Sequence, residues 1–146
     1  MVRKIRETDR EIYLEMVKKF YNSDAVLHNV NEQNFVNTFN ELMRSDEYTE
    51  CYFLETENTV AGYALLSKTF SQEAGGSVYW IEEIFVLPEF RSKGLGKEFF
   101  PFLNNRLPPN VKRLRLEVEK DNSRAAALYK RLGYKELAYE QMYKEN

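Results

Sequence analysis

Among 146 residues there is one cysteine, one histidine and one tryptophan. The lone Cys51 excludes an internal disulfide framework and any zinc site built on several cysteines. The lone His28 excludes a histidine-rich metal centre within one chain, so no metal is expected. A chain without structural disulfides suits a reducing compartment, and the cytoplasm is the expected one. No long apolar run free of charge occurs, which excludes a membrane-spanning helix. The basic start, Met-Val-Arg-Lys-Ile-Arg-Glu, leads into no apolar stretch, so no signal peptide is expected. With only 4 prolines and 6 glycines, breaks are few, and each is informative about where an element ends.

Aromatic residues, by contrast, are plentiful. Ten Tyr and 10 Phe, with 43% hydrophobic and 30% charged residues, describe a chain that folds around a core. The length fits one domain. A net charge of −2 and a pI of 5.6 give no general affinity for nucleic acid. The charge is unevenly spread. Residues 1–75 carry a net −5 and residues 76–146 a net +3. One half is suited to a cationic partner and the other to an anionic one.

Periodicity predicts a strand over residues 2–6 and an amphipathic helix over 9–21, with Ile12, Tyr13, Met16, Val17 and Phe20 at helical spacing. A loop over 22–30 precedes a second helix over 31–44. Residues 48–55 and 60–68 read as a hairpin around the polar turn Thr56-Glu57-Asn58-Thr59. The apolar run 77–87, ended by Pro88, predicts a central strand. A helix over 94–107 follows, in which Pro101 removes one internal hydrogen bond and predicts a bend after Phe100. A strand over 111–118 places Leu114, Leu116 and Val118 on one face and Arg113, Arg115 and Glu117 on the other. A helix over 122–132 ends at Gly133, a natural left-handed cap. Residues 134–143 are β-prone and predict one or two closing strands. No repeat or linker interrupts the order, so residues 1–146 are read as a single domain.

Two segments carry chemistry. In Arg91-Ser92-Lys93-Gly94-Leu95-Gly96-Lys97 a strand gives way to a glycine-bearing basic loop and then at once to a helix. Glycines admit a ligand close to the backbone. The first helix amides have no internal partner, and the helix dipole adds positive potential. Such a turn suits phosphate, yet it is neither the Walker nor the dinucleotide glycine pattern. The second segment runs from Asn122 to Tyr134. Asn122 stands where it caps the helix, three alanines permit close packing, and Tyr129 lies about two turns on, over the helix start.

In this order and spacing, the two segments resemble the GNAT acetyltransferase superfamily. Arg91 to Gly96 looks like the family's acetyl-CoA loop. Asn122, Ala125, Leu128, Tyr129, Gly133 and Tyr134 match its later Asn-x-x-Ala-x-x-Leu-Tyr-x-x-x-Gly-Phe/Tyr motif. The resemblance is close over residues 79–134; before that, only the order of elements agrees. It implies an α/β (α+β) fold: a single mixed, mostly antiparallel sheet of six to seven strands, helices on both faces and a splayed central strand pair. It further implies acetyl-CoA as co-substrate. The pantetheine arm would pair with Ile84, Phe85 and Val86, and the pyrophosphate would sit on the amides of Ser92 to Lys97. Asn122, Ala125 and Tyr129 complete the cofactor-binding set.

Acetyl transfer needs a neutral amine and a group that takes its proton. Glu82 and Glu83 stand side by side in the central strand. Alternation sends them to opposite faces unless a bulge intervenes. The run is similar to that of polyamine-type members of the family, which makes Glu82 the expected base and Glu83 the expected bystander. Tyr129 matches the family tyrosine that protonates the departing thiolate. Cys51 has no neighbouring base in sequence and reads as an inert core thiol. Glu32, Glu41, Asp46, Glu47 and Glu50 make residues 31–50 acidic, which favours a cationic amine as acceptor. That amine belongs to a small molecule or a peptide. Acetylation of protein N-termini or lysines, and a non-catalytic acyl-CoA-binding module on the same fold, remain the alternatives. No nucleic-acid or membrane partner is expected, and a homodimer is left open.

Overall fold

A computed structural model describes residues 1–23 and 29–146. His28 therefore lies outside the described residues. The chain divides into two compact units, residues 1–116 and 117–146. The first contains β1 (Val2–Lys4), α1 (Arg10–Tyr21), α2 (Glu32–Arg44), β2 (Thr49–Thr56), β3 (Thr59–Ser71), β4 (Gly76–Val86), α3 (Leu95–Asn104) and β5 (Val111–Leu116). The second contains α4 (Ser123–Arg131). No helix among the described residues is long and apolar enough to cross a membrane.

The strands form one mixed sheet in the order β1-β2-β3-β4-β5. Its pairs are antiparallel except for β4 and β5. A parallel pair needs a crossover, and α3 supplies it. Five strands stand where six to seven are expected. Among the described residues, 134–146 form no strand. Leu137, Tyr139, Met142 and Tyr143 are all exposed there, so β-propensity alone, without a packed neighbour, has not made a strand.

Alternation along β2 and β3 sorts the core into two layers. Cys51 and Phe53 of β2 and Tyr63 of β3 face α1 and α2, whose Tyr13, Met16, Val17, Phe35, Phe39 and Leu42 complete that layer. Tyr52 turns to the opposite face, where its ring lies 6.0 Å from Phe99 and 5.2 Å from Phe102 of α3. Helices thus cover both faces. The turn between β2 and β3 has Glu57 and Asn58 at φ 49° and 61°. That is the left-handed pair a two-residue hairpin demands. Pro101 lies inside α3, which runs unbroken from Leu95 to Asn104.

The N-terminal strand is tied down by charge. The Arg3 guanidinium donates to both carboxylate oxygens of Asp9, at 2.7 and 3.0 Å, and to Glu55 at 2.6 Å. Asp9 is the one charged side chain buried among the described residues. Arg3 holds its carboxyl below the usual carboxylate range, against the opposing effect of burial. Its contribution to stability is therefore full above about pH 4 and is lost as pH falls through the lowered value. Asp9→Ala removes the bidentate partner of Arg3 and leaves it Glu55 alone, and is expected to cost about 2–4 kcal/mol in urea unfolding near neutral pH. The deficit relative to wild type should shrink in acid.

Candidate active site

The central strand does not alternate cleanly. β3 and β4 pair Leu66 with Ile81 and Leu65 with Glu83, so Glu82 is an extra residue in a bulge. A bulge resets the pleat by one residue. The consequence is visible in the hydrogen bonds. Ser67 Oγ donates to Glu82, and Tyr63 Oη donates to Glu83 at 2.5 Å. Ser67 and Tyr63 are four apart in β3 and share its α1/α2 face. Both carboxylates therefore lie on one face, and the expectation that Glu83 points away from Glu82 is corrected.

The two differ in surroundings. Glu82 is exposed, whereas Glu83 is half-buried. Tyr21, at the end of α1, donates to the second oxygen of Glu83. Tyr21 is held in turn by Phe35 of α2, ring to ring at 5.0 Å. Burial raises the proton affinity of Glu83, the two tyrosine hydroxyls oppose that, and the charge of Glu82 adds to the rise. The net direction is upward, which makes Glu83 a better proton acceptor than an ordinary carboxylate. Cys51 is wholly buried. Burial, with the charge of Glu83 second, pushes its thiol well above the ordinary value, which agrees with an inert core residue.

Beyond the bulge, β4 loses its partner on one side. The ladder with β5 ends at Ile81 and Leu116, while pairing with β3 continues to Val86. The stretch Ile84-Phe85-Val86 thus presents one edge without a ladder partner among the described residues. Phe85 is buried, and Ile84 and Val86 are half-buried.

The basic loop follows directly. Gly94 caps α3 at φ 81°, a conformation that costs any residue with a Cβ. The amides of Leu95 and Gly96 donate to no carbonyl among the described residues, as a helix start dictates. The amide of Lys97 differs, donating to Gly94 at 3.0 Å, so this residue offers a ligand its side chain. Arg91 Nε donates to the Val86 carbonyl at 2.9 Å, which ties the loop to the end of β4. Lys93 lies over the Phe90 ring at 5.4 Å. Arg91, Ser92, Lys93, Gly94 and Lys97 are all exposed, and Leu95 is buried. None of Arg91, Lys93 and Lys97 has an ion pair among the described residues. Three cations without an ion pair and two open amides are the features an anion seat requires.

The acidic stretch 31–50 is accounted for otherwise. Glu32 pairs with Lys18 at 3.1 Å, and Glu41 and Glu47 both pair with Arg44. Asp46 pairs with Lys4, and Glu50 with Lys68 at 2.5 Å. Each of these carboxylates has a cation beside it, with Glu41 and Glu47 sharing Arg44. Glu82 and Glu83, by contrast, have no ion pair among the described residues.

In the C-terminal unit, Asn122 caps α4 by accepting from the Ala125 amide at 3.1 Å. The helix ends in a Schellman motif. The Tyr134 amide donates to Tyr129 at 3.0 Å and the Gly133 amide to Lys130 at 3.1 Å, with Gly133 at φ 92°. The rings of Tyr129 and Tyr134 meet at 6.0 Å, the apolar contact such a cap favours. Tyr129 is half-buried. Burial raises its phenol above the ordinary value, so it keeps its proton at neutral pH.

Comparison with known proteins agrees with this architecture. Residues 10–134 match the acetyltransferase (GNAT) family. The chain is 37% identical to the bovine (Bos taurus) thialysine N-ε-acetyltransferase over 53% of its own length and 46% of that enzyme. It is 27% identical to the mouse (Mus musculus) enzyme of that name over 93% of its length and 84% of that enzyme. The first of these matches spans less than half of its relative. The fold matches a possible acetyltransferase from Clostridium difficile 630 at a TM-score of 0.84 and 20% identity, covering 100% of this chain and 97% of that one. It also matches AAC(6')-Iy in complex with the bisubstrate analog CoA-S-monomethyl-acetylneamine, at a TM-score of 0.79 and 18% identity, with the same coverage. The chain belongs to the GNAT acetyltransferase family. The family and its named relatives support an N-acetyltransferase.

Proposed function

We propose that the protein transfers the acetyl group of acetyl-CoA to a primary amine of a small molecule by direct attack in a ternary complex. The observation that carries this reading is the carboxylate pair on one sheet face, next to a strand edge without a partner and a basic helix start. The pantetheine arm would pair with the Ile84–Val86 edge. The pyrophosphate would sit over Leu95 and Gly96, flanked by Arg91, Lys93 and Lys97. Relatives named for thialysine and a structural neighbour bound to a CoA bisubstrate analog support the substrate classes.

In the reaction, the amine nitrogen attacks the thioester carbon. The C–N bond forms, the C–S bond breaks, and the amine proton passes to the Glu82–Glu83 pair. Tyr129 gives its phenol proton to the CoA thiolate and regains one from solvent. Its raised proton affinity keeps it protonated until the thiolate appears. Calorimetry tests the cofactor: acetyl-CoA should bind and NAD should not, and tight NAD binding with silent acetyl-CoA would refute the assignment.

Tyr129→Phe should lower turnover by about 10–10³-fold, the range for one positioned acid or hydrogen bond. Affinity for CoA should change far less, because the hydroxyl acts on charge that develops in the transition state. Steady-state rates alongside CoA titrations separate the two. Unchanged turnover would leave Tyr129 as the apolar partner of Tyr134 in the helix cap.

A further inference from the structure

Hydrogen bonding at the end of β4 shows which way its last groups point. Val86 stands opposite Gly62, and the Leu87 amide donates to the Ala61 carbonyl at 2.8 Å. In an antiparallel ladder that bond flanks the Gly62–Val86 pair, so Val86 occupies a non-hydrogen-bonded position. Its own amide and carbonyl point away from β3, to the side where the ladder with β5 has ended at Ile81. Ile84, opposite Ala64, has the same phase. An extended chain laid along this edge would pair with Ile84 and Val86.

One of those groups is already engaged. Arg91 Nε donates to the Val86 carbonyl at 2.9 Å, and the guanidinium carbon lies 5.9 Å from the Phe85 ring centroid. Both contacts of the side chain are with β4, so a cation caps the edge that the pantetheine arm would use. Lys97, exposed on the first turn of α3, makes no side-chain hydrogen bond or ion pair among the described residues. A phosphate offers a guanidinium more than a neutral carbonyl does, because it brings full charge and two oxygens for the planar fork. Arg91 is exposed, so a change of rotamer is enough to move its head group from one to the other. A pantetheine thioester without phosphate would have to break the cap and give nothing in return.

We propose that Arg91 is a specificity-determining residue for the acyl donor: it caps the pantetheine edge at Val86 and yields that edge to a donor that brings a phosphate. The site therefore accepts acetyl-CoA and resists a bare pantetheine thioester. This inference rests on the acetyl-CoA reading and assigns donor selection within it.

Calorimetry with acetyl-CoA and with S-acetylpantetheine, the weaker donor being read by competition, tests it. Arg91→Ala removes the cap and the phosphate contact together, so the two donors should respond in opposite directions. Affinity for acetyl-CoA should fall by about 10-fold, through loss of a charge-assisted contact. Affinity for S-acetylpantetheine should rise by about 3–10-fold, the worth of one hydrogen bond no longer broken. Lys97→Ala removes a cation and leaves the cap in place. It should weaken acetyl-CoA and keep S-acetylpantetheine within about twofold of wild type. Unchanged S-acetylpantetheine affinity in Arg91→Ala would make Arg91 a phosphate contact only, and weaker binding of both donors would make it a support of the loop. Either result overturns the inference and leaves the acetyl-CoA site standing. If wild type binds neither donor, the acetyl-CoA reading fails and this inference falls with it.

Discussion

Replacing Glu82 by Gln is expected to lower kcat/KM by about 10²–10³-fold near neutral pH, within the range for a positioned general base. The loss should narrow as pH rises. A carboxylate helps most where free amine is scarce, and above the amine's own pKa the substrate arrives neutral. The bulge adds a second expectation, because Glu83 lies on the same face. Glu83→Gln should also be damaging, and the double variant should approach the full loss. The charge of Glu82 raises the proton affinity of Glu83, with burial as the larger cause. Removing it should shift the acid limb of the residual activity to lower pH. The hydroxyls of Tyr21 and Tyr63 act in the opposite direction, so Tyr21→Phe should move that limb to higher pH. Profiles of kcat/KM against pH with one amine check all of these. If both single variants keep wild-type rates across the profile, the pair does not receive the proton.

The second large effect is expected at the basic loop. Gly94 stands at φ 81°, and a Cβ there would meet nothing within 4 Å. The position is thus demanding in backbone and open in space. Gly94→Val places a branched side chain in a left-handed conformation, which costs about 1–2 kcal/mol. It also projects that side chain from the helix start where phosphate would rest. Affinity for acetyl-CoA should fall by about 10²-fold, while the melting temperature should fall by only several degrees, as that backbone cost implies, with the fold retained. Gly94→Ala should lie between the two. Calorimetry and thermal unfolding separate loss of the seat from loss of the fold. Wild-type affinity in Gly94→Val would remove the loop from the cofactor site.

Features set by local chemistry were legible before any coordinates. Asn122 and Gly133 announce the two ends of α4 because capping uses particular side chains at particular positions. The loop from Arg91 to Gly96 is legible for the same reason. The register of β3 against β4 is not local. No residue in Trp80-Ile81-Glu82-Glu83-Ile84 signals that Glu82 is extra, and the bulge appears only when Leu65 and Leu66 are opposite. The roles of Tyr21 and Tyr63 were hidden likewise. Each reads as a core aromatic at its own spacing, and its hydroxyl finds Glu83 only across 62 and 20 residues of chain. A buried tyrosine does need a partner for its hydroxyl, which was the one available hint. The pairing within the acidic stretch was hidden likewise. Charge counted along the chain cannot tell a free carboxylate from one already paired in space, as Glu50 is with Lys68. The predicted closing strands failed because residues 134–143 have the propensity of a strand, while pairing depends on neighbours that propensity does not see.

The account turns on one reaction, and release of free CoA measures it. Acetyl-CoA and a panel of primary amines, diamines and basic amino acids should give CoA release that depends on the amine. With both substrates varied, the double-reciprocal lines should intersect, as a ternary complex requires. Parallel lines would contradict direct attack and point to an acyl-enzyme. Acetyl-CoA binding with no amine-dependent release from any member of the panel would contradict catalysis itself.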